Sequence, residues 1–196
     1  MKRVGQSLLT IMIIISLSAC AEQDQQDTRS GDDQLDESIE VSAHDLKEVE
    51  VTLMNTEGNP VANATLTEKE EGGVNIIFEG QDLPPGELGF HIHDVGECIP
   101  PNFESAGGHY NPTDSKHGFN HPEGPHAGDL ENIHVNEDGT VYAEVEAPMV
   151  SLKRDHENTL FTEEGTSLVI HSGPDDYFSQ PAGDAGDRIA CGVIGE

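Results

Sequence analysis

The chain has 196 residues, with 38 Asp plus Glu against 9 Lys plus Arg and a formal net charge of −29. Nothing basic is available to neutralise phosphates, so nucleic acid is excluded as a partner, and so is charge-driven adhesion to an anionic lipid surface. Three cysteines, ten histidines and no tryptophan are the other compositional facts that bear on chemistry.

The chain opens on basic Lys2 and Arg3, followed by a nearly unbroken apolar run from Leu8 to Leu17 and by Ser18-Ala19-Cys20. The run is too short and wrongly flanked for a spanning helix and reads as a processing signal. Leu17-Ser18-Ala19-Cys20 resembles the bacterial lipoprotein signal. That resemblance implies removal of residues 1–19, a lipid anchor in the membrane on Cys20, and an extracytoplasmic location in a bacterial cell envelope. An ordinary secretory peptide with a chance cysteine is the alternative, and it also exports the chain. Loss of Lys2 and Arg3 with the signal moves the charge from −29 to −31. Residues 20–45 are polar, rich in Asp, Glu, Gln and Ser, and are expected to form an acidic flexible tether, because they bury too little apolar surface to offset ordering. Residues 46–196 then form one domain, of a size that supports a sizeable core. With Cys20 assigned to lipid, Cys98 and Cys191 remain, 93 positions apart. In an oxidising compartment a disulfide is the default for such a pair, with two free thiols as the alternative.

Strand-like alternation dominates the domain. Glu48–Leu53 places every second apolar residue on one face; Val61–Leu66 and Val74–Phe78 follow, separated by Gly58-Asn59-Pro60 and Glu71-Gly72-Gly73. Leu88–His93, Thr140–Val145, Ser167–His171 and Arg188–Ala190 read as further strands, and no long window keeps a helical period. Many short strands with Gly and Pro punctuation predict an all-β sandwich or Greek-key barrel. Residues 94–130 and 172–187 break the rhythm, and structureless loops of this length are usually functional or disordered.

Seven of the ten histidines lie between His91 and His134. His91 and His93, two apart on a strand, point to one face, and neutral imidazoles presented together suit copper or zinc. A pair on a solvated strand face is the bland alternative. The loop adds His109, His117 and His126, then Asp129, and imidazole and carboxylate are both normal zinc ligands.

Several separate segments, in order, resemble the copper/zinc superoxide dismutase family from about residue 48 onward: Gly89-Phe90-His91-Ile92-His93, Ser105–Pro112 around His109, Lys116-His117-Gly118, His126-Ala127-Gly128-Asp129-Leu130, Leu168–His171 and Gly186–Gly195. The resemblance implies copper at His91, His93, His109 and His171, and zinc at His109, His117, His126 and Asp129, with His109 bridging the ions. It implies a Cys98–Cys191 disulfide, Arg188 as the attractor of the anionic substrate, and Asp175 as a carboxylate hydrogen-bonded to ligands of both metals. The implied fold is an eight-stranded Greek-key barrel of immunoglobulin-like sandwich type with two long functional loops. The implied reaction is conversion of two superoxide ions and two protons to dioxygen and hydrogen peroxide by Cu(II)/Cu(I) cycling, with His109 carrying a proton during the cycle. Every expected ligand position is filled. A homodimer is compatible with the family, but the alternating strands mark no pairing surface. His121 has no counterpart and stands either as a competing zinc ligand or as a solvated histidine; His44 and His156 read as surface residues, His134 as part of a strand or its edge, and Phe90, Tyr110 and Phe119 as packing groups.

Residues 172–187 contain Asp175, Asp176, Asp184 and Asp187 but no lysine, where eukaryotic-type members carry lysines that steer the anion. A field of that sign slows encounter with superoxide, most at low salt. A copper-binding or copper-buffering protein of the same fold is the first competing reading, and a sandwich holding zinc alone the second.

Overall fold

The computed structural model describes residues 48–195; the expectations for the signal, for lipidation at Cys20 and for the tether lie outside them. Nine strands follow in order: β1 Glu48–Asn55, β2 Pro60–Glu68, β3 Val74–Gly80, β4 Gly86–Leu88, β5 Phe90–His93, β6 Ile133–Val135, β7 Val141–Ala147, β8 Thr166–His171 and β9 Arg188–Ile194. Among the described residues the only helical element is a short 3-10 turn, Glu104–Ala106.

The period-2 alternation dictates which faces are buried. In β1, Val49, Val51 and Leu53 point inward while Glu48, Glu50 and Thr52 face solvent. Leu66, Val74, Ile76 and Phe78 extend the same layer, with Phe78 packed on Phe90 at 5.1 Å between ring centroids. Burying each such side chain contributes about 1.5–3 kcal/mol. β8 is buried along its whole length, between β5 and β9, and its leading polar residues are satisfied: Thr166 donates to the Leu160 carbonyl and Ser167 to that of Val95.

Seven strands form one antiparallel sheet in the order β5-β8-β9-β1-β2-β3-β7, and β4 pairs with β6 in a separate ribbon. The chain therefore crosses between distant strands in the Greek-key manner, and Leu88, Ile133 and Val135 of the ribbon join the common core. Two sequence expectations change. Leu88–His93 is not one strand: it breaks at Gly89, where the chain passes from the ribbon to the large sheet and a Cβ would meet Ala185 at 2.9 Å. A closed eight-stranded barrel is also not what the ladder shows, because the seven-stranded sheet ends at β5 and β7.

The reason lies at the outer edge of β5. There the Ile92 N–H donates to the Gly128 carbonyl (2.9 Å), the Tyr110 N–H to Ile92 (2.8 Å) and the Asp94 N–H to Gly108 (2.9 Å). Bridges also link His91 with Asp129 and His93 with His109. Loop segments, rather than a strand, satisfy this edge, and they carry two of the expected ligands to it.

Candidate metal centre

Two clusters of ligating atoms form where β5, β8 and the long loop meet. His91, His93, His109 and His171 make one; His109, His117, His126 and Asp129 make the other, and within each the ligating atoms lie within 4.8 Å of one another. His109 belongs to both. His91, His93 and His117 are at most 1 % exposed. Burial alone would favour neutral rings.

Each buried ring has one nitrogen engaged and one left free. The engaged contacts are His91 Nε2 with Asp175 Oδ2 (2.7 Å), His93 Nδ1 with the Gly107 carbonyl (3.1 Å) and His171 Nδ1 with the Gly186 carbonyl (3.2 Å). His117 Nε2 meets Asp175 Oδ1 (3.0 Å), and His109 Nδ1 meets Asp129 Oδ1 (2.8 Å). The other nitrogens, His91 Nδ1, His93 Nε2, His109 Nε2, His117 Nδ1 and His171 Nε2, are buried without a hydrogen-bond partner. Five unpartnered ring nitrogens converging in a buried site are costly unless a cation takes them. His117 Nδ1 lies 3.1 Å from Asp129 Oδ1 and yet makes no hydrogen bond with it, as expected of two atoms arranged around a common centre. The donor sets suit the two ions: imidazoles for copper, and three imidazoles with a carboxylate for zinc.

The carboxylates are built for the same task. Asp129 Oδ2 accepts from the Gly118 and His126 N–H groups, leaving Oδ1 facing His109, His117 and His126. Burial pushes the Asp129 carboxyl up, but the three histidine rings around it and the Gly118 N–H outweigh it and hold it well below the ordinary carboxylate range. Asp175 is likewise held low: burial opposes ionisation, and His117, His91 and the Tyr177 N–H overcome it. Burial depresses His91 to about 3 and His171 to about 4. His93 and His109 are also lowered, chiefly by burial. For His117 burial works the same way, but Asp129 and Asp175 reverse the balance and raise it to about 9.

Arg188 starts β9 opposite His171 across the β8–β9 ladder. Its Nη1 donates to the Phe103 carbonyl and its Nη2 to that of Gly107, both at 2.6 Å. The Cys98–Cys191 disulfide is formed, with the Cα atoms 5.6 Å apart, and it joins β9 to the segment that supplies those carbonyls. Phe103, Ala106, Val169 and Cys191 form a small apolar cluster beneath it.

All the histidines expected as ligands, with Asp129, Asp175 and Arg188, thus come together. His121 does not: it belongs to neither cluster, its Nδ1 accepts from the Glu123 N–H, and its ring faces Phe178. His134 pairs with Glu87 on the surface, and His156 is exposed. Phe90 and Tyr110 are buried, whereas Phe119 is exposed against Tyr177. Sequence reasoning missed Asn132, whose side-chain amide brackets the Asp175 main chain by accepting from its N–H and donating to its carbonyl, both at 2.9 Å. It missed Gln180, whose side-chain amide brackets the His117 main chain. No spacing pattern in the sequence pointed to Asn132.

Comparison with known proteins agrees with this geometry. The family described as copper/zinc superoxide dismutase (SODC) matches residues 61–194. Superoxide dismutase (Cu-Zn) 2 of Aquifex aeolicus is 55 % identical over 153 residues, covering 78 % of this chain and 88 % of that protein. The crystal structure of a SOD-like protein from Bacillus subtilis superposes with a TM-score of 0.72 at 43 % identity, covering 74 % of this chain and 96 % of that one. The Cu/Zn superoxide dismutase from Brucella abortus superposes with a TM-score of 0.62 at 33 % identity, covering 76 % and 99 %. With a family match over most of the described domain and relatives this similar, the chain belongs to the copper/zinc superoxide dismutase family.

Proposed function

We propose that the protein is a superoxide dismutase in which His91, His93, His109 and His171 hold copper, and His109, His117, His126 and Asp129 hold zinc. The observation that carries this reading is the set of five buried, unpartnered imidazole nitrogens, divided between two clusters that share His109 and lie beside Arg188. Bound copper supplies one-electron oxidation and reduction, by which two superoxide ions and two protons become dioxygen and hydrogen peroxide, while zinc is redox-silent.

The chain's own residues do the rest. Arg188 presents a fixed cation to an incoming anion, because both ends of its guanidinium are tied to carbonyl oxygens. Burial makes that charge act strongly at short range. His109 turns Nδ1 toward Asp129, within the cluster that would hold zinc, leaving Nε2 as the atom at which a proton is taken up and released. Asp175 fixes the rings of His91 and His117 at once through their Nε2 atoms, so each presents Nδ1. Gly107 and Gly186 carbonyls fix His93 and His171 in the opposite sense.

The N-terminal features support a location outside the cytoplasm. Residues 1–19 serve as the signal, Cys20 carries the lipid, and residues 20–45 tether the catalytic domain, residues 46–196, to a membrane. The mass of the mature N-terminal peptide, with and without mutation of Cys20, tests that arrangement.

The activity is tested by direct superoxide decay on protein loaded with copper and zinc, beside His91→Ala, with metal content measured on the same samples. Decay that scales with bound copper and is lost in the variant is expected. Full copper occupancy with decay no faster than the variant would move the assignment to copper buffering.

A further inference from the structure

We propose that Gln180 is a positioning residue for His117, holding that ligand in place from the opposite loop. The proposal rests on the reading of His109, His117, His126 and Asp129 as a zinc site, and it adds a residue that the ligand set does not contain.

His117 lies in an irregular stretch with no strand to hold its main chain. Gln180, 63 positions away, accepts from the His117 N–H through Oε1 (3.0 Å) and donates to the His117 carbonyl through Nε2 (2.9 Å). The same Nε2 donates to the Phe178 carbonyl at 3.0 Å, which fixes the amide to its own loop. Among the described residues, both main-chain groups of His117 are hydrogen-bonded by Gln180 alone. The side chain thus replaces the neighbouring strand that a ligand such as His91 has on β8.

The surroundings make this contact specific. Gly118 has φ +96°, and a Cβ there would overlap the Tyr177 main chain, so the two loops touch without intervening side chains. The Asn120 N–H donates to the Tyr177 carbonyl at 3.0 Å, and Phe119 packs on Tyr177. Gly183 is equally confined, because a Cβ there would overlap the Asp175 carboxylate and crowd His117 Nε2. Asn132 brackets the Asp175 main chain in the way that Gln180 brackets that of His117. Two side-chain amides therefore clamp the two ends of the Asp175–His117 hydrogen bond. Gln180 is itself solvent-exposed and is not part of the apolar core, so its removal costs no core burial.

The test uses Gln180→Ala and Gln180→Glu in the full chain, with Co(II) as the probe of the zinc cluster. Gln180→Glu keeps an acceptor for the His117 N–H but sets a carboxylate against the carbonyls of His117 and Phe178. Affinity is read by chelator competition on the visible Co(II) band, beside copper affinity and the melting temperature of the metal-free protein. The expected result is a loss of Co(II) affinity of about tenfold for Gln180→Ala, within the range typical of groups that orient ligands, and a larger loss for Gln180→Glu. The Co(II) band should shift, while copper affinity and the metal-free melting temperature hold. Unchanged Co(II) affinity in both variants would overturn the proposal alone. A parallel fall in the metal-free melting temperature would also overturn it, by making Gln180 a general loop staple. Failure of the unmutated protein to take Co(II) would overturn the zinc reading and the proposal together.

Discussion

Gly107 contributes no side chain, yet its carbonyl oxygen accepts from both Arg188 Nη2 and His93 Nδ1. The attracting cation and a candidate copper ligand are therefore indexed to one atom. Arg188→Ala should retain copper while the second-order rate of superoxide decay falls at least about tenfold, the lower end of what a focused charge contributes to encounter. Arg188→Lys, which keeps the charge but cannot span the Phe103 and Gly107 carbonyls with a rigid fork, should fall between the two. Stopped-flow decay with copper content measured in parallel checks both. The histidines were legible from their crowding into one stretch, and His91 with His93 from strand periodicity. Gly107 and Phe103 were not, because a main-chain carbonyl belongs to every residue and only the fold selects which ones matter. Gln180 and Asn132 were hidden for a related reason: an amide bracketing a distant main chain leaves no spacing pattern.

At the scale of elements, the disulfide and the segment 98–107 act as one piece. Cys191 sits in β9, three residues after Arg188, and Cys98 opens the segment that ends in the carbonyls holding that arginine. Replacing both cysteines by serine removes a closure of 93 residues. It should lower stability by roughly 2–5 kcal/mol. It should also lower activity per bound copper, because the carbonyl cradle of Arg188 is loosened. Urea unfolding and metal-normalised superoxide decay measure the two effects separately. Alternation in β1, β2, β3 and β7 made those strands readable, since each has apolar residues on a buried face, whereas β8, buried along its length, reads as a continuous apolar run, Leu168-Val169-Ile170. β6 was read only through His134, placed in a strand or at its edge, because Ile133-His134-Val135 is too short to show a period. The break at Gly89 was masked by apolar residues on both sides, and the partner switch from β6 to β8 is a tertiary fact.

For the whole molecule, charge governs how conditions alter rate and stability. Glu104 and Asp94 are close enough to act on Arg188, and Asp176, Asp184 and Asp187 are exposed on the loop that precedes it. Added salt screens repulsion of superoxide by this surface and also screens Arg188, which is partly shielded by burial. The decay rate should rise or stay level as ionic strength increases; a steep fall in a salt titration would contradict this. Stability of the metal-free protein should depend on pH from two sides. In the unfolded chain His91 and His171 take protons near pH 6.5, whereas in the fold they refuse them until about 3 and 4. The unfolded state therefore binds more protons as pH falls below 6.5, and stability declines by about 1 to 2 kcal/mol for each of these two histidines by pH 5. His117 has the opposite sign: its pairing with Asp129 and Asp175 is fully present below pH 6.5 and is lost as pH rises toward 9. Thermal unfolding of chelator-treated protein should show a maximum near neutral pH, and a curve rising steadily toward acid would contradict the assignment of buried neutral rings.

The pairing of β5 with the metal-bearing loop has a consequence for solubility. Ile92 presents its N–H and carbonyl outward, and it is Gly128 and Tyr110, each beside a candidate ligand, that occupy them. Metal held by His109 and Asp129 would add to these hydrogen bonds in keeping the loop on the strand, and wherever the loop lifts, bare donors and acceptors are open to the same edge on another molecule. Metal supply would thus bear on how well the protein resists edge-to-edge aggregation, as well as on whether it turns over its substrate.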